Sequence, residues 1–341
     1  MSWQELYDTA EAIVADHRGI LAADESTSTI KKRFDSIGVE STEETRRAYR
    51  DLLFTAPGIE DSIGGVIMYD ETIRQSSHDG TPFAELLASK GVIPGIKVDT
   101  GAHDMAGFPG EKVTEGLDGL RERFVEYHAL GARFAKWRAV ITIGDGIPTD
   151  ACIDANAHAL ARYATLSQEA GLVPIVEPEV LMDADNSIEV CDSVTGRTLR
   201  AVFAALFAFD VHLRGILLKP NMVIPGKGAA DQSSADQIAA LTVHNFRRHV
   251  PALVPGIVFL SGGQSEVQAT ENLNAINRVP GAPWPLSYSY GRALQASALE
   301  AWRGDPANVE AGQAAFIHRA RMNSTAVAGE WSSALEEAVA A

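Results

Sequence analysis

A (β/α)8 barrel, folded as one domain over 1–341, is the architecture this chain of 341 residues predicts. Three observations lead there. Eight short apolar runs alternate with segments of helical spacing. Alternation of this kind argues for parallel strands, because each crossover between them needs about a dozen residues or more. Most of the runs end in charged or glycine-rich residues, at the positions where side chains of a parallel barrel converge on one mouth. No GxGxxG follows the first run, which speaks against an open dinucleotide-binding sheet.

Residues 2–17 place Trp3, Leu6, Tyr7, Ala10, Ile13 and Val14 on one face of a helix. The first apolar run, GILAAD (19–24), ends in Asp24. Helices are expected at 28–37 and 42–56, the second opened by the cap-like Ser41-Thr42-Glu43-Glu44. IGGVIMYD (63–70) is the second run. A turn at Asp79-Gly80 and a short helix near 82–90 lead to VIPGIKVD (92–99), which ends in Lys97 and Asp99. The stretch 100–115, rich in Gly, Pro and charge, reads as a loop before a helix at 116–130. In ARFAKWRAVI (132–141), Lys136 and Arg138 alternate with Ala135, Trp137 and Ala139, so both cations face one side of a strand.

After a helix at 151–170, VPIVEPE (173–179) ends in Glu177 and Glu179. A helix at 193–210 then leads to GILLKPN (215–221). Pro220 cannot donate to a ladder, so this strand should end there, leaving Lys219 above an apolar floor. A desolvated ammonium loses proton affinity, and a neutral amine is a nucleophile. The loop that follows, IPGKGAADQSS, reads as flexible and precedes a helix at 234–249. GIVFLSGGQS (256–265) closes on Ser261-Gly262-Gly263, before a helix at 265–276. WPLSYSYGR (284–292) supplies Ser289, Gly291 and Arg292. Helices at 292–303 and 306–328 complete the barrel, and an acidic, alanine-rich tail from about 329 reads as mobile.

Composition narrows the class. With 46% hydrophobic and 22% charged residues, the chain reads as a soluble globular protein. No apolar run approaches the roughly 18 residues of a membrane span. A net charge of −16 argues against nucleic acid as a partner. Cys152 and Cys191 are too few for a disulfide framework, and the first residues lack the basic start and apolar core of a signal peptide. A cytoplasmic location is expected.

The strand ends gather four cations (Lys97, Lys136, Arg138 and Lys219) with Asp24, Glu177 and Glu179. Ser261-Gly262-Gly263, at a strand end before a helix, offers N–H groups and a hydroxyl to an anion. Gly291 and Arg292 end the next strand, and the loops after the seventh and eighth strands are the usual phosphate site of a barrel. A second anion site is expected around Ser26, Thr29, Lys32 and Arg33. None of the nine histidines falls at a strand end, and no HxH or HExxH occurs, so no metal is expected.

GILAADEST, IGGVI, GIKVD, FAKWR, VPIVEPE, LLKPNMV, FLSGGQS and SYGRALQASAL, in this order, resemble class I fructose-1,6-bisphosphate aldolase from about residue 3 to 325. The resemblance implies a metal-independent aldolase of glycolysis and gluconeogenesis, without a cofactor, acting on phosphorylated sugars and assembled as a homotetramer. It implies Lys219 as the Schiff-base lysine, Lys136 as the positive charge beside it, and Glu177 as the proton shuttle. Asp24 would take the proton from the C4 hydroxyl, and Glu179 would orient these groups. Ser261, Gly262, Gly263, Ser289, Gly291 and Arg292 would bind the C1 phosphate. Ser26, Thr29, Lys32, Arg33 and Lys97 would lie near the C6 phosphate, and Arg138 is a further mouth cation.

Two departures stand out. Animal members commonly read DESTGSI where this chain has DESTSTI, so a glycine is replaced by Ser28. Those members also end in a tyrosine that serves the enamine, whereas the final tyrosine here is Tyr290. Two other readings compete with this one. A Schiff-base aldolase for singly phosphorylated sugars does not need paired phosphate sites. An inactive scaffold does not need the full set of lysines and carboxylates.

Overall fold

A computed structural model describes residues 3–337. The last four residues of the acidic tail and the first two of the chain lie outside the described residues. Ten strands run in chain order: β1 Gly19–Ala23, β2 Ile63–Met68, β3 Ile93–Lys97, β4 Gly101–Asp104, β5 Lys112–Glu115, β6 Phe134–Ile141, β7 Val173–Val180, β8 Leu217–Leu218, β9 Ile257–Phe259 and β10 Leu286–Tyr290. Eight of them, all but β4 and β5, close a parallel barrel in the order β1-β10-β9-β8-β7-β6-β3-β2. These are the eight apolar runs of the sequence, and helices cover the crossovers between most of them. The predicted (β/α)8 barrel is the observed fold.

Strand alternation sorts the barrel interior by height. Ile20, Phe134, Ile175 and Leu217 belong to one apolar cluster inside the barrel. Two residues further along the same strands stand Ala22, Lys136, Glu177 and Lys219, and two further again Asp24, Arg138 and Glu179. The floor is therefore hydrocarbon and the mouth is charged. Room for the floor comes from glycine: a Cβ on Gly95 would lie 2.3 Å from the ring of Phe134, and one on Gly65 would lie 3.0 Å from it. The helix Trp3–Ile13 stops the opposite end, with Leu6, Ala10 and Ile13 buried in that same cluster.

The structure departs from expectation in three respects. The stretch 100–115 is a β4–β5 antiparallel hairpin, because Gly101–Asp104 pairs with Lys112–Glu115 around a turn at 105–111. It leaves the rim of the barrel after β3, and His103 on it lines the mouth, so one histidine does reach the cavity. Of GILL, only Leu217 and Leu218 are strand, since Leu213–Gly215 forms a 3-10 turn. The ladder nonetheless continues at Lys219, whose N–H donates to the Val176 carbonyl at 2.8 Å. The tail after Gly329 is docked over its described part. The Trp331 indole donates to Glu336 at 2.9 Å, and Glu336 pairs with Arg319 at 2.5 Å. Among the described residues, no helix is long and apolar enough to cross a membrane.

Candidate active site

The mouth is a cavity of about 1000 Å³ above the apolar floor. All of the site residues expected from the sequence line it. At its base, three buried groups and the half-buried Asp24 form a chain of charge. The Lys219 Nζ lies 3.2 Å from Oε1 of Glu177. Oε2 of the same carboxylate is 3.4 Å from Lys136 Nζ, and Lys136 in turn reaches Oδ2 of Asp24 at 2.7 Å. Among the described residues Glu177 Oε2 accepts no hydrogen bond, and the ion-pair contact with Lys136 is what faces it. Lys136, Glu177 and Lys219 are each under 5% exposed, which keeps their interactions out of bulk water.

Burial alone pushes the Asp24 carboxyl up. The ammonium groups of Lys136, then Lys219 and Lys97, overcome that penalty and hold it well below the usual carboxylate range. Burial pushes Lys136 down, and Asp24, Glu177 and Asp99 more than reverse it, so Lys136 stays protonated. Arg138 donates through Nε to Glu179 at 2.5 Å, fixing that carboxylate above the quartet. Lys97 is turned toward Asp99, its Nζ 2.8 Å from Oδ1, and Asp99 also accepts from the Arg138 backbone N–H at 3.2 Å.

Two anion-ready regions flank this base. On one side, Gly262 and Gly263 take φ of 55° and 84° at the end of β9, next to Arg292. Ser289 is 1% exposed and lines the cavity, and among the described residues its hydroxyl has no partner. On the other side, Ser26 starts the helix Thr27–Ser36, and its hydroxyl lies 3.1 Å from that of Thr29. Lys32 lines the cavity from the same helix. Arg33 reaches further than its neighbours: its Nη2 is 3.6 Å from where a Cβ on Gly291 would sit, beside the first region.

Several side chains that line the mouth were not legible in the sequence. Glu25 pairs with Arg33 and, at 2.5 Å, with Arg50, and it accepts from Gln295 at 3.2 Å. Burial raises this carboxyl, and Arg33 and then Arg50 bring it below the ordinary range. Glu25 adjoins Asp24 and was visible as part of AADE, yet its partners lie up to 270 residues away. Asp183 and Lys227, 44 residues apart, meet at the rim, and no local pattern connects them. Among the described residues, no group of three or more His, Cys, Asp and Glu is arranged to hold a metal ion.

The family model described as fructose-bisphosphate aldolase class-I matches residues 5–341. The chain belongs to the class-I fructose-bisphosphate aldolase family. A relative from Xanthomonas campestris pv. campestris, "Probable fructose-bisphosphate aldolase class 1", is 57% identical over 97% of this chain and 99% of its own length. "Fructose-bisphosphate aldolase" of Echinococcus multilocularis is 52% identical over 98% of this chain and 93% of its own. A fructose-bisphosphate aldolase from Plasmodium falciparum, solved in complex with TRAP and a small-molecule inhibitor, superposes with a TM-score of 0.95. It is 50% identical, with 97% of this chain and 96% of that one covered. As a class-I aldolase the chain is a lyase with a glycolytic role, in a family that works without a metal ion. A barrel aldolase needs an amine, a proton carrier and anchors for a phosphorylated substrate, and the mouth holds side chains of each kind.

Proposed function

We propose that this aldolase cleaves fructose 1,6-bisphosphate reversibly through a Schiff base on Lys219. The amine of Lys219 attacks the C2 ketone, forming a C–N bond and a carbinolamine. Glu177 delivers the proton that lets the hydroxyl leave as water, giving an iminium. Lys136 stays positive beside it and favours the loss of that water. Asp24 takes the C4 hydroxyl proton, the C3–C4 bond breaks, and its electron pair moves into the iminium. Glyceraldehyde 3-phosphate departs and an enamine remains. Glu177 or a bound water gives C3 its proton, and hydrolysis, in which Glu177 acts as base toward the incoming water, releases dihydroxyacetone phosphate and restores the amine. Glu179, held by Arg138, orients the upper carboxylate layer. Ser261, Gly262, Gly263, Ser289, Gly291 and Arg292 take the C1 phosphate. Ser26, Thr29, Lys32, Arg33 and Lys97 serve the C6 phosphate. No metal or other cofactor takes part. A cytoplasmic homotetramer completes the reading, on the strength of the resemblance.

The single observation that carries it is Glu177, whose carboxylate lies between the ammonium groups of Lys219, at 3.2 Å, and Lys136, at 3.4 Å. Among the described residues Lys136 has Asp24 as a second ion-pair partner, whereas Lys219 pairs with Glu177 alone. That asymmetry supports Lys219 as the reacting amine.

Borohydride trapping with dihydroxyacetone phosphate, followed by peptide mapping, tests the assignment. The adduct is expected on Lys219. An adduct on Lys136 or Lys97 instead would sink it. Lys219→Arg should abolish nearly all cleavage, because a guanidinium does not become a neutral amine.

A further inference from the structure

The loop after β8 supplies a side chain that neither the motifs nor the charge quartet use. Its backbone is stitched to the loop after β7. Gly226 N–H donates to the Asn186 carbonyl at 2.9 Å, Lys227 N–H to Met182 at 2.8 Å, and Gly228 N–H to Ala184 at 2.9 Å. Glycine is required at 226, since a Cβ there would lie 2.2 Å from the Ala184 carbonyl oxygen. The backbone at Lys227 is thereby fixed at the rim of the cavity.

From there the side chain crosses to the turn after β9. A Cβ on Gly263 would lie 2.6 Å from Nζ of Lys227 and 3.2 Å from Nη2 of Arg292. Two cations converge over one glycine, whose φ of 84° and missing side chain leave the space for them. Among the described residues Arg292 makes no ion pair, and the Ser289 hydroxyl has no partner. Lys227 has one, the Asp183 carboxylate at 2.5 Å, and both side chains are about half exposed or more, at 46% and 64%. An exposed pair of this kind contributes only about 0–1 kcal/mol. It does not hold an ammonium against a phosphate dianion flanked by a second cation. Nor is it needed to join the two loops, because three backbone hydrogen bonds already do so.

We infer that Lys227 is a specificity-determining residue, which exchanges Asp183 for the C1 phosphate and binds it together with Arg292 and the Gly262–Gly263 turn. The inference rests on the phosphate-site assignment made above. It adds a cation from the β8 loop to that site, with Asp183 as its counter-ion while the site is empty.

The test runs in the condensation direction with glyceraldehyde 3-phosphate as acceptor, comparing dihydroxyacetone phosphate with dihydroxyacetone as donors. Lys227→Gln should lower the preference for the phosphorylated donor about tenfold, mainly through KM, and Lys227→Arg should restore most of it. Asp183→Asn removes the counter-ion but keeps the cation, so the preference should persist or rise. An unchanged preference in Lys227→Gln, or an equal loss in Asp183→Asn, would make the pair a mere clasp and overturn the inference. Arg292→Ala separates the two claims: if it spares the preference, the phosphate-site assignment itself is wrong. Should Lys227→Gln not fold, the unmodified enzyme decides by amine labelling and peptide mapping. Dihydroxyacetone phosphate, and not dihydroxyacetone, should protect Lys227 at least threefold, and equal labelling with both would refute the role.

Discussion

Asp24 and Lys136 hold each other's charge inside the protein, and the sign of each shift fixes the pH range in which that matters. The folded Asp24 carboxyl lies below its ordinary value of about 3.9, so its contribution is present above that pH and is lost as pH falls through the folded value. Lys136 lies above its ordinary value of about 10.4, so its contribution is present below that pH and is lost as pH rises through the folded value. Between about pH 5 and 9 both contributions are fully present, and the pair adds no pH dependence to stability. Lys136→Met changes this, because the burial penalty on Asp24 then meets only the more distant Lys219 and Lys97. A carboxyl raised in the folded state costs stability as pH rises. The Tm gap between wild type and Lys136→Met should widen from pH 5 to pH 8, toward a loss of about 3–5 kcal/mol, the scale of a broken buried pair. Thermal melts across that range check it, and a gap independent of pH would mean that Lys136 does not set the state of Asp24.

At the level of elements, the barrel works by height. Strand alternation puts Phe134, Lys136 and Arg138 on one inner line, so a floor side chain decides how firmly the charged layer above it is held. The Phe134 ring fits only because β2 and β3 carry Gly65 and Gly95 beneath it. Gly95→Ala should therefore destabilise the fold by about 1–3 kcal/mol or more, as overpacking does. Adding Phe134→Leu should recover part of that loss, a coupling that urea titration of the two single variants and the double variant would measure. Strictly additive losses would show that the glycine is not there for the ring. The apolar strands were legible because burial on both faces leaves an unbroken hydrophobic run. The β4–β5 hairpin was not, since its residues are largely exposed and polar, and turn-like composition reads the same in a hairpin as in a loop.

For the whole molecule, charge is distributed against the average. The chain carries −16, yet eight lysines and arginines against six carboxylates line the mouth. A cleft of that sign draws phosphorylated substrates toward it and loses that advantage as salt rises. Activity should survive a strong chelator in a steady-state assay, whereas loss restored by zinc would contradict a lysine-based reaction. The described part of the tail packs on the barrel's outer helices. None of its described residues lines the cavity, while Glu336 satisfies Arg319, which is only 5% exposed. Deleting the residues after Trp331 should change kcat by less than about threefold, under 1 kcal/mol of barrier. It should lower stability by about 1–3 kcal/mol, because a buried guanidinium loses its partner. Kinetics and melts of the truncated chain test both, and a large selective loss of C3–H exchange would instead give the tail a part in the chemistry.

Residue order alone carried the barrel and most of the mouth. A strand that ends in charge announces its own height, and parallel closure brings every such end to one side, so Asp24, Lys136, Glu177 and Lys219 could be grouped without a contact being known. Partnership was another matter. Glu177 sits between two lysines, Glu25 takes Arg33 and Arg50, Lys227 meets Asp183 and Gly263, and the helix Trp3–Ile13 stops the barrel floor. Apart from Glu25 and Arg33, which are eight residues apart, these pairings join residues tens to hundreds of positions apart. They are set by barrel stagger and by the paths of loops across the rim, which have no period and leave no local pattern in the chain.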